Sequence, residues 1–133
     1  MGYCWLKHNH LDWLLQATGG QRLLEFKGYP DTWETDYGNP GYQRLWIHDV
    51  LTDVRRHGWD GVKVDNALTT ANAYGQAQKY RTDTAVQAAS YSALREIGSA
   101  LRRAGVASVF NVGYAPRFPR LWARWLRPVD GIP

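Results

Sequence analysis

Gly58-Trp59-Asp60-Gly61-Val62-Lys63-Val64-Asp65-Asn66 is the stretch that most clearly indicates the fold of this chain. Gly58 follows a basic run and predicts the end of a helix, because glycine readily takes the left-handed conformation and cations favour the last helical carbonyls. Val62 and Val64 then alternate as in a short buried strand, and a carboxylate, Asp65, follows where that strand ends. In parallel α/β sheets, functional side chains gather outside the carboxyl ends of the strands. Asp65 is therefore the first candidate for a catalytic residue.

Helices and strands alternate on both sides of this stretch. Asn39 and Pro40 suit the cap and the first residue of a helix, and apolar residues at helical spacing continue it to His57. The same reasoning predicts the other elements: strands at 32–37, from Gly61, at 106–113 and from Val129, and helices at 41–57, 83–104 and from Pro116. This order fits right-handed parallel crossovers.

Two architectures are built from such parallel units, the open doubly wound sheet and the (β/α)8 barrel. No glycine-rich nucleotide loop follows any of the predicted strands, which favours the barrel. The chain has 133 residues, whereas a closed barrel usually needs about 250. We therefore expect an α/β fold that is a partial (β/α)8 TIM barrel with parallel strands, formed by a single domain over residues 1–133 and truncated at both ends.

The N-terminal part has a pattern of its own. Residues 11–26 predict a β-hairpin around Gly19-Gly20, at the edge of the main sheet. Residues 1–10 show no clear period and indicate an irregular polar segment. Its His8 and His10 have the spacing of two metal ligands, but no carboxylate or cysteine cluster accompanies them. We predict neither a metal nor a cofactor.

The composition is that of a globular domain, with 44% hydrophobic and 21% charged residues. The 7 Trp and 8 Tyr suit core anchors or flat surfaces on which sugar rings or bases stack. The net charge is +4, but the basic residues are spread over the predicted helices, with one arginine-rich cluster from Arg117 to Arg127. We interpret this cluster as a solvated helix face, since a nucleic-acid footprint is more continuous.

The sequence predicts no contact with a membrane. No apolar run reaches the ~20 residues of a membrane span, and residues 1–8 lack the order of a signal peptide. As given, the chain is expected in the cytoplasm. Cys4 is its only cysteine, so no internal disulfide is possible.

Five blocks of this sequence recur together in one known group of proteins. They are Asp12-Trp13-Leu14-Leu15 with the Gly-Gly turn, Asp36-Tyr37-Gly38-Asn39-Pro40-Gly41-Tyr42-Gln43, the stretch 58–66, Asp83-Thr84-Ala85-Val86-Gln87-Ala88-Ala89, and Asn111-Val112-Gly113. On these blocks the chain resembles the hypothetical glycosyl hydrolase family 15 and, more distantly, the endo-α-1,4-polygalactosaminidase-like barrels. The resemblance covers nearly the whole chain. It implies a (β/α)8 fold, action on a polysaccharide or oligosaccharide, acidic residues at strand ends, and relatives that are longer and often secreted.

Glycoside hydrolysis typically uses two carboxyl groups about 5 to 9.5 Å apart. Asp36 and Asp65 lie near the ends of consecutive predicted strands, and neighbouring strands are about 4.8 Å apart, so we predict this pair as catalytic. Asp60 lies at the amino end of its strand and is interpreted as structural, and Trp46 as part of the core. Amides and aromatic rings near the strand ends are predicted to bind substrate: Asn66, Asn111, Trp33, Tyr74, Tyr80 and Tyr114.

Two alternatives remain open. The resemblance implies a further carboxylate beyond Asp130, so the main rival is a catalytically inactive fragment or a carbohydrate-binding module. The other is a basic α/β domain that binds nucleic acid, which requires the arginines between Arg117 and Arg127 to share a face with exposed aromatic rings. The open sheet edges of a partial barrel also predict self-association.

Overall fold

The protein has an α/β fold, here a computed structural model that describes residues 2–20, 23–25, 29, 31–71, 76–113 and 117–131. Its helices are α1 (Tyr3–Asn9), α2 (Pro40–His57), α3 (Asp83–Arg103) and α4 (Pro119–Trp125), with a short 3₁₀ helix at Leu11–Trp13. Its strands are β1 (Gly61–Ala67) and β2 (Ala107–Val112), which form a two-stranded sheet.

The two strands pair in parallel, as predicted. Gly61 lies opposite Ala107 and Val64 opposite Phe110, and α3 forms the crossover between the strands. Gly131 makes a further parallel bridge to Val109, so the chain begins to pair with β2 where the sequence predicts another strand.

Local signals in the sequence account for the ends of α2. The Asn39 side chain accepts hydrogen bonds from the backbone N–H groups of Gly41 (2.8 Å) and Tyr42 (3.3 Å), and Pro40 is the first helical residue. Gly58 ends the helix in the left-handed conformation, with φ of 68°. Both predicted ends of this helix are confirmed, and they place β1 directly after it.

The main core lies between the sheet and helices α2, α3 and α4. Its most deeply buried side chains are Leu94, Leu101, Phe110 and Trp125. Along β1, Val62 and Val64 pack against this core, whereas Lys63 and Asp65 are exposed. The pleat of the strand therefore turns one face of β1 towards the core and leaves the other face exposed.

The N-terminal part forms an antiparallel arrangement. Gln16 bridges Leu23 across the predicted Gly19-Gly20 turn, and both glycines have positive φ, 110° and 82°. The described residues thus show the predicted reversal of the chain at this turn as an isolated antiparallel bridge, and Leu11–Trp13 is a 3₁₀ helix instead of a strand. Among the described residues, the main sheet consists of β1 and β2 alone.

The prediction that residues 32–37 form a strand of the parallel sheet is wrong. Trp33 bridges Glu25 and Thr35 bridges Leu14, both antiparallel. The reason is that the backbone of Glu34 between them is already bonded: its N–H donates to the Leu24 carbonyl and its carbonyl accepts from the Leu15 N–H, both at 2.9 Å. This segment therefore belongs to the N-terminal antiparallel arrangement.

Residues 3–9 form the helix α1, so the prediction of an irregular segment at residues 1–10 is wrong. Leu6 is the buried residue of this helix, and the His10 N–H donates to the Leu6 carbonyl at 2.7 Å. One buried leucine in a short helix is too little to give a visible period. At the other end of the chain, the predicted helix start at Pro116 lies outside the described residues, and α4 begins at Pro119. Within the described ranges, no helix has the length and apolar character needed to cross a membrane.

Candidate active site

The carboxyl end of β1 is irregular where it carries Asp65. The pairing with β2 shifts register between Val64 and Ala67, which is the mark of a β-bulge. Asn66 lies in the left-handed region with φ of 62°, a conformation that asparagine tolerates better than most residues. Bulges of this kind occur often next to functional sites, and this one includes Asp65 and Asn66.

Asp65 is held as a carboxylate by its neighbours. The Asn111 side-chain amide, at the corresponding end of β2, donates to Asp65 Oδ1 at 2.5 Å, and the Asn66 backbone N–H donates to the same oxygen at 3.1 Å. The bond from Asn111 is the main cause that lowers the pKa of Asp65 below its usual range, with smaller contributions from the Asn66 N–H and the charge of Lys63. Asp65 is therefore negatively charged at neutral pH. The structure thus brings together two of the predicted site residues, Asp65 and Asn111.

The loop that follows β1 is fixed to the rest of the domain. The Thr69 hydroxyl donates to the Gly113 carbonyl just after β2. Ser90 and Gln87 of α3 donate to the carbonyls of Leu68 and Thr69, at 2.7 and 3.0 Å. The end of β1 therefore has a defined geometry, as a preorganised site requires.

A cavity of about 240 Å³ lies against this strand end. Trp33, Tyr37, Tyr42 and Trp46 supply its aromatic lining, while Asp65 and Asn66 supply polar groups. Buried apolar residues of α3 and β2 also line it: Ala93, Leu94, Ile97 and Phe110. An apolar, aromatic cavity with a few polar groups is typical of a small-molecule site, and aromatic faces suit the apolar faces of sugar rings. Trp33 and Asn66, both predicted as substrate-binding residues, line it; Trp46, predicted as core, does so too.

Glu34 lines the same cavity and was not singled out from the sequence. Its Oε1 atom is buried and finds no hydrogen-bond partner within the described part of the chain. Burial raises the pKa of Glu34 to about 7, because loss of water disfavours the charged form. The cavity is thus lined by two carboxyl groups with opposite tendencies: Asp65 stays ionised, and Glu34 keeps its proton up to about neutral pH.

Asp36, the predicted partner of Asp65, has different surroundings. It is 2% exposed and lines a separate cavity with Gln78 and Lys79. The Lys79 ammonium and the Tyr80 hydroxyl donate to its two oxygens, so the negative charge is neutralised by an ion pair. This arrangement links the N-terminal part to the segment before α3.

Tyr80, predicted to bind substrate, is buried in this second cluster. Its ring stacks on Tyr37 at a centroid distance of 5.5 Å, and its hydroxyl is bonded to Asp36. The remaining two predicted binding residues, Tyr74 and Tyr114, lie outside the described residues. Among the residues that are described, no three His, Cys, Asp or Glu side chains come together in a group able to hold a metal ion.

The fold and this site define a class of protein: an α/β domain with an ionised carboxylate at the carboxyl end of a parallel strand, beside an aromatic cavity. The comparison with known families is more specific. The chain belongs to the hypothetical glycosyl hydrolase family 15, whose family model matches residues 1–121. The family membership expected from the sequence is therefore confirmed. None of the curated proteins and none of the solved structures compared with the chain gave a significant match.

Proposed function

We propose that this protein hydrolyses glycosidic bonds of a polysaccharide or oligosaccharide, with Asp65 as the ionised carboxylate at the reaction centre. The observation that carries the proposal is the pair formed by Asp65 and Asn111 at neighbouring strand ends, beside a cavity lined by Trp33 and Trp46. The family to which the chain belongs supports the same class of reaction.

The chemistry of the bond explains why an ionised carboxylate is useful here. Breaking a glycosidic bond develops positive charge on the sugar ring, and a fixed negative charge lowers the energy of that transition state. Both hydrogen bonds to Asp65 fall on Oδ1. Among the described contacts, Oδ2 therefore keeps its lone pairs for the substrate, while Asn111 holds the group in place.

We also infer that this α/β unit is part of a (β/α)8 barrel. Three parallel segments support it: β1, β2 and the bridge at Gly131 lie side by side in the order of the sequence, with helices between them. Helices cover one face of the sheet, as they do in such barrels. Self-association through open sheet edges stays a prediction, which light scattering tests.

The rival functions differ in how well the described residues support them. A carbohydrate-binding module would use the same aromatic cavity without cleavage, so the test below includes it as an outcome. Nucleic-acid binding required exposed aromatic rings beside the arginine cluster. Instead, Trp125 of α4 is fully buried, Trp122 packs against the core, and Arg124 lies over the Tyr91 ring at 4.1 Å.

The test compares the protein with two matched variants, Asp65→Asn and Asp60→Asn. Asp60 precedes β1 at its amino end and is exposed, so its variant makes the same chemical change away from the site. Reducing ends are counted after incubation with an α-1,4-linked galactosamine polymer and with a galactan, and binding is measured by calorimetry. We expect release by the wild type and by Asp60→Asn, and a loss of at least about a hundredfold in Asp65→Asn.

Two results would contradict the proposal. Equal release by Asp65→Asn and the wild type would remove Asp65 from the reaction centre. Binding of either polymer by the wild type without any release would favour the carbohydrate-binding module.

A further inference from the structure

We propose that Glu34 is the proton donor to the glycosidic oxygen, acting in the cavity that it shares with Asp65; this inference rests on the proposed function. Hydrolysis requires an acid as well as an ionised carboxylate, because the leaving oxygen departs poorly as an alkoxide. Asp36 is already engaged with Lys79 and Tyr80, so the acid has to come from elsewhere.

The backbone of Glu34 is fixed from two sides. Its N–H donates to the Leu24 carbonyl and its carbonyl accepts from the Leu15 N–H, both at 2.9 Å. Leu15 and Leu24 are themselves buried. These bonds fix the position from which the Glu34 side chain enters the cavity, which suits a group that must meet a bound substrate in one place.

The carboxyl group of Glu34 has the environment of a general acid: one of its oxygens is buried and has no hydrogen-bond partner within the described residues. A buried oxygen without a hydrogen-bond partner destabilises a fold and normally has a reason to be there. A substrate oxygen in the cavity would supply the missing partner. The raised pKa, about 7, agrees with this geometry because a large fraction of the group keeps its proton near neutral pH, and nearly all of it does so at lower pH.

The other titratable groups that line the cavity do not compete for this role. Tyr37 and Tyr42 both have pKa values raised by burial, so they stay neutral. Tyr37 lines the same cavity as Glu34, and the charge of Glu34 is one of the smaller causes that raise the pKa of Tyr37. Within the described lining, Asp65 is therefore the only group besides Glu34 that is able to carry a charge at neutral pH.

The proposed step transfers one proton from Glu34 and cleaves one glycosidic bond. The Glu34 O–H bond breaks and its proton goes to the glycosidic oxygen, while the bond between that oxygen and the anomeric carbon breaks and its electron pair stays on the oxygen. Asp65 stabilises the positive charge left on the sugar. The oxygen of one water molecule then bonds to the anomeric carbon, and a proton of that water returns to the Glu34 carboxylate. One glycosidic bond and one water are consumed, and both carboxyl groups return to their starting states.

The experiment compares Glu34→Gln with the wild type and with Glu96→Gln, an exposed position on α3 that makes the same chemical change. Each protein is assayed on the galactosamine polymer, on the galactan, and on 2,4-dinitrophenyl glycosides of the same two sugars, between pH 4 and 9. The dinitrophenolate group leaves without protonation. We expect Glu34→Gln to lose about 10² to 10⁴ in kcat/KM on the polymer and clearly less on the dinitrophenyl glycoside.

The pH profile separates a catalytic role from a structural one. In the wild type, kcat/KM should fall as the pH rises through about 7, the pKa of Glu34, because the acid form is required. This fall should be absent in Glu34→Gln and unchanged in Glu96→Gln. Equal losses on both substrates with an unchanged profile would overturn the inference, as would full activity of Glu34→Gln. No release by the wild type would overturn the proposed function itself, and this inference with it.

Discussion

Replacing Glu34 with glutamine should remove one specific pH dependence from the stability of the fold, whatever reaction the protein catalyses. Burial raises the pKa of Glu34 from 4.5 to about 7 in the folded chain. The unfolded chain therefore loses this proton first as the pH rises. The stabilisation that the protonated group contributes is fully present below about pH 4.5 and is lost as the pH rises through about 7.

The size of the effect follows from the same pKa. One pKa unit corresponds to about 1.4 kcal/mol, so the rise from 4.5 to about 7 has an upper limit of about 3 kcal/mol. Water reaches part of the Glu34 side chain and screens the charge, which reduces the expected loss to on the order of 1–2 kcal/mol. Glutamine has nearly the same shape and does not titrate, so the variant should lack this loss.

The assay is urea unfolding of the wild type, Glu34→Gln and Glu96→Gln at pH values from 4 to 8.5. The difference in unfolding free energy between Glu34→Gln and the wild type should shift in favour of the variant by about 1–2 kcal/mol across this range. The exposed Glu96→Gln should follow the wild type. Parallel curves for Glu34→Gln and the wild type would show that Glu34 titrates normally, and would refute the reasoning from burial.

Three further predictions concern the frame of the site. Asn111→Ala should raise the pKa of Asp65 towards its ordinary value, because the variant lacks the hydrogen bond that is the main cause of the lowered pKa. Carbon-13 NMR titration measures the pKa of Asp65, and an unchanged pKa would contradict the prediction. Asn66→Gly should keep the free energy of unfolding within a few tenths of a kcal/mol, whereas Asn66→Val should lower it by about 1–2 kcal/mol, because φ is 62° at this position. Equal urea midpoints for the two variants would contradict this difference. Gly98→Ala should destabilise the fold by roughly 1–2 kcal/mol, because a methyl group would overlap the Pro128 carbonyl and lie 3.1 Å from Val129 Cγ1. This overlap outweighs the gain of about 1 kcal/mol in helix propensity. A higher melting temperature of the variant would contradict the prediction.

Local chemistry explains which parts of the fold could be predicted from the sequence. The cap at Asn39, the left-handed Gly58 and the alternation of Val62 and Val64 each depend on a few consecutive residues. Their predictions are therefore met in the structure. Asp65 follows as the residue at the end of that strand, which is why it could be singled out before any contact was known.

Local chemistry does not decide which of Glu34 and Asp36 lines the cavity at β1. Both are acidic residues of one short segment, two positions apart, and an extended strand would place them on the same face. In the structure the chain turns at this point: the Tyr37 N–H donates to the Thr35 carbonyl at 2.9 Å. Glu34 consequently lines the cavity at β1, and Asp36 lines another with Lys79. The sequence signal for a buried Glu34 was its position between Trp33 and Thr35, an apolar and a β-forming residue. Such a position does not show whether a carboxyl group has a hydrogen-bond or ion-pair partner in the fold.

By itself, the sequence determined the family, the parallel order of β1 and β2, and the position of Asp65 and Asn66 at a strand end. Those properties follow from periodicity, capping and turn residues, which act over a few positions along the chain. Only the tertiary structure decided that Asn111 holds Asp65, that residues 32–37 pair with the N-terminal part, and that Glu34 lies buried in the shared cavity. Those properties depend on groups far apart in the chain, and the pKa of a carboxyl group depends on the water and the partners that folding removes or supplies.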